Sequence, residues 1–146
     1  GKADLEIIAE VKQALSIAVI GNGDVDSGES CKRMYDYTGC ALVMVGRAAC
    51  GRPWIFSEIK HYLETGETLP PPSPDEQLEI MNEHIRLLCA DKGEYIGMKE
   101  ARKHTAWYLK GRPGAAKLRN MCGSLATLED FDNMLTLIRN TAQQDI

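Results

Sequence analysis

The stretch IAVIGNGDVDSGESCKRMYDYTGCALVMVGR, Ile17–Arg47, decides the fold. It opens with a short β-branched run, Ile17–Gly21, of the kind found in buried parallel strands. Next comes a helix whose expected N-cap is Ser27 and whose expected stop is Gly39. A second apolar run, Ala41–Gly46, then closes a strand–helix–strand crossover, the unit of an α/β sheet. Each run ends in glycine, as "GNGD" in the first case and "GR" in the second.

Working outward, Leu5–Leu15 has apolar residues at helical spacing, and "RPWIFSEIKHYLETG" gives a helix with Pro53 near its first turn and Gly66 just past its end. At "ETLPPPSP" the texture changes, because prolines cannot continue a helix and make an extended spacer. Ser73, Pro74 and Glu76 then restart the chain as a capping box. No further strand is expected. Helices are predicted at about 74–92, 96–110, 113–122 and 128–142, broken at Gly93, Gly111 and "GSLAT". The chain therefore divides into an α/β piece, residues 1–68, and a helical bundle, residues 69–146. Two strands alone make no stable parallel sheet. The first piece should need the remainder of a larger sheet, or self-association, to cover its strand edges.

Composition narrows the function classes. The 146 residues are 44% hydrophobic and carry a formal charge of −4. No apolar run approaches the roughly 18 residues of a membrane span, so no membrane partner and a cytoplasmic location are expected. Five cysteines, odd in number and without C-x-x-C, point to reduced thiols and to no metal site. The mild acidity hides an asymmetry. Lys99–Arg119 holds seven basic residues against one acid, Glu100, which suggests an anionic partner.

Two kinds of candidate site follow. A glycine at the C-terminal end of a parallel strand lets backbone approach a ligand, and free N–H groups beyond it suit a phosphate. The two turns, 23 residues apart from Gly23 to Gly46, make one candidate, with Arg47 adding a charge-assisted bond and Asn22 an amide. A tight turn without a ligand would use the same glycines. The second candidate is a basic stripe. On one helix, Lys99, Arg102, Lys103 and Lys110 fall within an arc of about 100°, with His104 and Trp107 at its border. Arg112, Lys117 and Arg119 extend it. Such a stripe offers phosphate contact and stacking to RNA, or is a solvated charged face. His104 is expected to pack or meet phosphate, not to transfer protons. His61 and His84 show no partner pattern and are expected at the surface.

"VIGNGDV", "TGCALVMVGRAACGRPWIF" and "RKHTAWYLKGRPGAAKLR", in this order, closely resemble the C-terminal part of bacterial tRNA-dihydrouridine synthases. The resemblance covers essentially the whole chain. It implies the last two strand–helix units of an FMN-binding (β/α)8 barrel, followed by a helical domain that binds tRNA. It implies reduction of the uridine C5–C6 double bond with hydride from NADPH through FMN. By matching position, Asn22, Gly23 and Asp24 would contact FMN after strand seven, and Gly46 and Arg47 after strand eight. Ala41-Leu42 and Ser30-Cys31 depart from the family's more usual Asp-Gly and Asp-Ala. The family's general-acid cysteine, and its lysine and histidine contacts to flavin and substrate, lie upstream of the matched region. No catalytic residue is therefore expected among these 146, and the piece alone should not turn over. "GKADLEIIAEV" begins in mid-crossover without an initiator methionine, which leads us to expect truncation of a longer polypeptide. The competing readings are a free-standing helical RNA-binding module and the end of an unrelated phosphate-binding flavin barrel.

Overall fold

A computed structural model describes residues 2–112 and 114–142, with side chains as far as residue 140. The chain forms two compact units, residues 1–71 and 72–146.

The first unit runs α1 (Leu5–Ala14), β1 (Ile20–Asn22), α2 (Gly28–Thr38), β2 (Leu42–Met44), a single 3-10 turn (Arg47–Ala49) and α3 (Ile55–Thr65). Asp4 starts α1 by accepting the Glu6 N–H at 3.0 Å. Ser27 and Ser30 cap α2 reciprocally, and Gly39 ends it in a left-handed conformation, returning its N–H to the Tyr35 carbonyl at 2.9 Å. The strands are parallel, with Ile20 opposite Leu42, Gly21 opposite Val43 and Asn22 opposite Met44. The first strand is shorter and later than the apolar run Ile17–Gly21. Ladder partners extend only to residues 42–44, so Ile17 stays outside it and Asn22 is drawn in.

Helices cover only one face of this sheet. There Val25, Cys31, Met34, Cys40, Ile55 and Ile59 make the core. Gly21 lies directly on it, since a Cβ at that position would come within 2.9 Å of Cys40 Sγ and 3.0 Å of Met34 Sδ. Glu58, though buried, is paired with Arg52, whose guanidinium also reaches the Asp26 carbonyl. The opposite face is bare. Ile20, Leu42 and Met44 are 51%, 57% and 50% exposed. The expectation of fully buried strands therefore holds for one face only, because no element among the described residues of this unit packs on the other.

The second unit contains α4 (Pro74–Lys92), α5 (Glu94–Tyr108), α6 (Ala115–Cys122) and α7 (Leu128–Ala142). Ser73 and Glu76 form the capping box of α4, with Ser73 Oγ donating to Glu76 Oε2 at 2.7 Å. Gly93 turns the chain sharply, so that α5 runs back along α4. Their backbones nearly touch at Gly97, where an added Cβ would sit 2.7 Å from Cys89 Cα. Leu78, Met81, Ile85, Met98, Leu109, Phe131 and Leu135 fill the core. Arg86–Asp132 and Arg139–Glu79 ion pairs tie α7 to α4. Helix α5 ends two residues before the expected limit at 110. The Lys110 N–H there bonds the Trp107 carbonyl in a tighter turn. Of the expected helix 113–122, its start at Pro113 lies outside the described residues.

Candidate functional site

At the C-terminal ends of the parallel strands the chain folds Asn22, Gly23, Asp24, Gly46 and Arg47 around one cleft of about 820 Å³. Asn22 is the last residue of β1. Gly23 follows at φ +150°, a conformation that suits glycine alone, and Asp24 at φ +49°, where Asp is tolerated. Beyond β2, Gly46 opens the 3-10 turn, and the position a Cβ would take there is empty space. A ligand can therefore reach that main chain directly. The Arg47 side chain is 93% exposed and touches Asp24 through one contact, Nη2 to Oδ1 at 3.3 Å.

Two contributors to this cleft carry no sequence signal. Lys2 and Ala3 line it from the segment ahead of α1. The Ala3 N–H donates to Asp24 Oδ2 at 2.6 Å across 21 residues of sequence. Only the folded crossover brings them there. The cleft's donor set (an arginine, a lysine, an amide and the open main chain at Gly46) fits a phosphate. Among the described residues its lining includes no thiol and no imidazole. Its ionisable side chains are Lys2, Asp24, Asp26 and Arg47, two cations against two carboxylates. No cluster of three or more metal-ligating side chains occurs among the described residues.

The basic stripe divides in two. Arg102 Nε donates to the Leu125 carbonyl at 2.7 Å, fastening α5 to the turn before α7. Arg112 Nη2 donates to the Pro74 carbonyl at 2.9 Å and reaches Gln77 Oε1 at 3.3 Å, with burial lowering its pKa. These two guanidiniums brace the unit. Lys110, Lys117 and Arg119 are exposed. Lys99 stands 4.0 Å from the Tyr95 ring centroid and Lys103 5.1 Å from that of Trp107.

Trp107 is half-buried, edge-on to His104 at 5.2 Å. His104 in turn lies 4.8 Å from His84, and His84 Nδ1 is 3.1 Å from the Tyr108 hydroxyl. The expectation that His84 is a partnerless surface residue is thus corrected. Its partner lies 24 residues on and meets it only through the α4–α5 pairing. Burial lowers the pKa of His84, and of His104, where the neighbouring His84 and Lys103 add to the effect. Burial also pushes Tyr108 up to about 12, so its hydroxyl stays protonated and can donate to neutral His84.

The family model for dihydrouridine synthases matches residues 1–145. The chain belongs to the dihydrouridine synthase family. Among relatives of this family member, a tRNA-dihydrouridine synthase B from Vibrio vulnificus (strain CMCP6) is 50% identical over 119 residues, covering 82% of the chain and 37% of the relative. A protein of the same name from Pseudomonas aeruginosa (strain PAO1) is 45% identical over 139 residues, 95% of the chain and 41% of its own length. Another, from Proteus vulgaris, is 49% identical over 135 residues, 92% and 41% respectively. This dihydrouridine synthase chain thus spans about two fifths of the curated relatives it matches. No helix among the described residues is long and apolar enough to cross a membrane.

Proposed function

We propose that this chain is the C-terminal part of a flavin-dependent tRNA-dihydrouridine synthase, which reduces uridine to 5,6-dihydrouridine in tRNA. FMN, reduced by NADPH, would supply the hydride when bound. The role of this chain is to hold the flavin's phosphate end between its two glycine turns. Asn22, the turn at Gly23 and the open main chain at Gly46 would bond the phosphate oxygens, and Arg47 would neutralise their charge. The two strand–helix units are the end of a (β/α)8 barrel, a fold that commonly binds phosphate between its last two loops. The helical unit meets tRNA through the exposed cations Lys99, Lys103, Lys110, Lys117 and Arg119, with His104 and Trp107 beside them. Arg102 and Arg112 support that surface from within. We place the protein in the cytoplasm, where tRNA is modified.

One observation carries this reading: two turns 23 residues apart in sequence converge on a single cleft, at the strand ends where phosphate-binding barrels bind. The test is flavin retention in an enzyme that carries this chain as its C-terminal part. Arg47→Ala should lower the FMN recovered after gel filtration. Unchanged flavin content would remove Arg47 from the site. The 146-residue chain, given FMN, NADPH and tRNA, should form no dihydrouridine, and formation of any would overturn its assignment as a non-catalytic part.

A further inference from the structure

Asp24 is out of place in an anion site. A carboxylate at the cleft wall repels the phosphate proposed to sit there, and both of its oxygens are engaged elsewhere. Oδ2 accepts the Ala3 N–H at 2.6 Å, and Oδ1 faces Arg47 Nη2 at 3.3 Å. The segment carrying Ala3 lies flat against the turn, since a Cβ on Gly23 would fall 2.2 Å from Ala3 Cβ. Ala3 is therefore a fixed backbone donor. It sets the orientation of the carboxylate, and the carboxylate in turn faces the guanidinium. The Arg47 side chain is otherwise in solvent, and among the described residues it makes no other side-chain bond. A single bond at one Nη leaves the remaining N–H groups of the planar fork available. The other acid of the cleft differs: Asp26 Oδ1 accepts from Ser30 Oγ at 3.1 Å, and among the described residues its carboxylate pairs with no cation.

We propose that Asp24 is a positioning residue, held by the Ala3 N–H and orienting Arg47 toward an anion in the cleft without touching that anion itself. This rests on the anion-site reading above. It separates Asp24 from its neighbours in the turn: Asn22 and Gly23 bind, and Asp24 acts through Arg47.

The experiment takes an enzyme that carries this chain as its C-terminal part, strips its flavin and titrates it with FMN, riboflavin and inorganic phosphate, following the Gly23 and Gly46 amides by two-dimensional NMR. Riboflavin lacks the phosphate, so the FMN-over-riboflavin preference isolates the anion contact. Asp24→Asn keeps an acceptor for the Ala3 N–H and removes the charge that orients Arg47. It should weaken FMN and phosphate binding by about threefold, the scale of an exposed ion pair, and leave riboflavin unchanged. Arg47→Ala should weaken FMN about tenfold, and Asp24→Asn should add nothing in that background. Arg47→Lys leaves the turn intact whatever Asp24→Asn does to folding. A point charge cannot use the fork geometry, so it should restore little of the preference.

Tighter FMN binding in Asp24→Asn would mean that the carboxylate only repels. Equal losses for FMN and riboflavin, or a further loss in the Arg47→Ala background, would mean that it only holds the turn. Full recovery in Arg47→Lys would mean that orientation is irrelevant. Each of these overturns the positioning role while the anion site stands. A wild-type enzyme with no FMN-over-riboflavin preference, or with shifts away from Gly23 and Gly46, would overturn the anion site and the positioning role together.

Discussion

His84 and His104 face each other across α4 and α5, with ring centroids 4.8 Å apart and planes tilted by 59°. Both are half-buried, and burial lowers both pKa values below the usual 6.5. The folded state thus binds fewer protons than the unfolded chain over the interval beneath 6.5. Stability from this pair is complete above 6.5 and is lost as pH falls through that value toward the lowered ones. The melting temperature of the helical unit should drop between about pH 7.5 and 5.5, and replacing both histidines with Gln should flatten that dependence. Thermal melts by circular dichroism across this range decide it. A wild-type profile no steeper than the double variant's would rule the pair out.

Arg102 and Lys103 are neighbours with different tasks. Arg102→Ala removes the bond to the Leu125 carbonyl and should cost about 2 kcal/mol, the scale of a hydrogen bond from a charged donor. Lys103→Ala, on the exposed side, should stay within about 0.5 kcal/mol of the parent. Urea denaturation of the two variants measures the difference.

Binding of tRNA should divide along the same line. Replacing Lys103, Lys110 and Lys117 with Ala should weaken it and flatten the salt dependence, by roughly 0.7–0.9 in the log–log slope for each phosphate that is no longer neutralised. Filter binding at several salt concentrations gives the slope. If it is the same in the triple variant, these lysines are a solvated face.

Gly97→Ala puts two preferences in opposition. Alanine favours a helix interior by about 1 kcal/mol. Here, however, its Cβ would meet the Cys89 main chain at 2.7 Å, and parting two packed helices costs about 1–3 kcal/mol. The second effect should win and lower the melting temperature. A rise would show that α4 and α5 separate more easily than their packing indicates.

The bare sheet face should make the isolated chain associate at high concentration. Ile20→Ser together with Leu42→Ser should reduce that association, as read by sedimentation velocity.

Much of this architecture is legible in the sequence. Ser27, Gly39, Ser73 and Glu76 announce helix ends because capping is chemistry between near neighbours. The crossover, and the placing of Gly23 and Gly46 at strand ends, also follow from local pattern. What the sequence hides has partners distant along the chain. The extent of β1 depends on which residues of β2 can pair. Arg102 and Arg112 read as free cations until Leu125 and Pro74 are folded against them. Lys2, Ala3 and the Tyr108 partner of His84 have no local signature at all. The 3-10 turn at Arg47–Ala49 is silent for a different reason: three residues are too few to show a period.

The one-sided covering of β1 and β2 has a thermodynamic consequence. Any molecule that seats against Ile20, Leu42 and Met44 binds the folded form and not the unfolded one, so it shifts the folding equilibrium by mass action. The midpoint of unfolding for residues 1–71 is then no fixed property of the sequence. It becomes a gauge of occupancy, rising with the concentration of whatever completes the sheet.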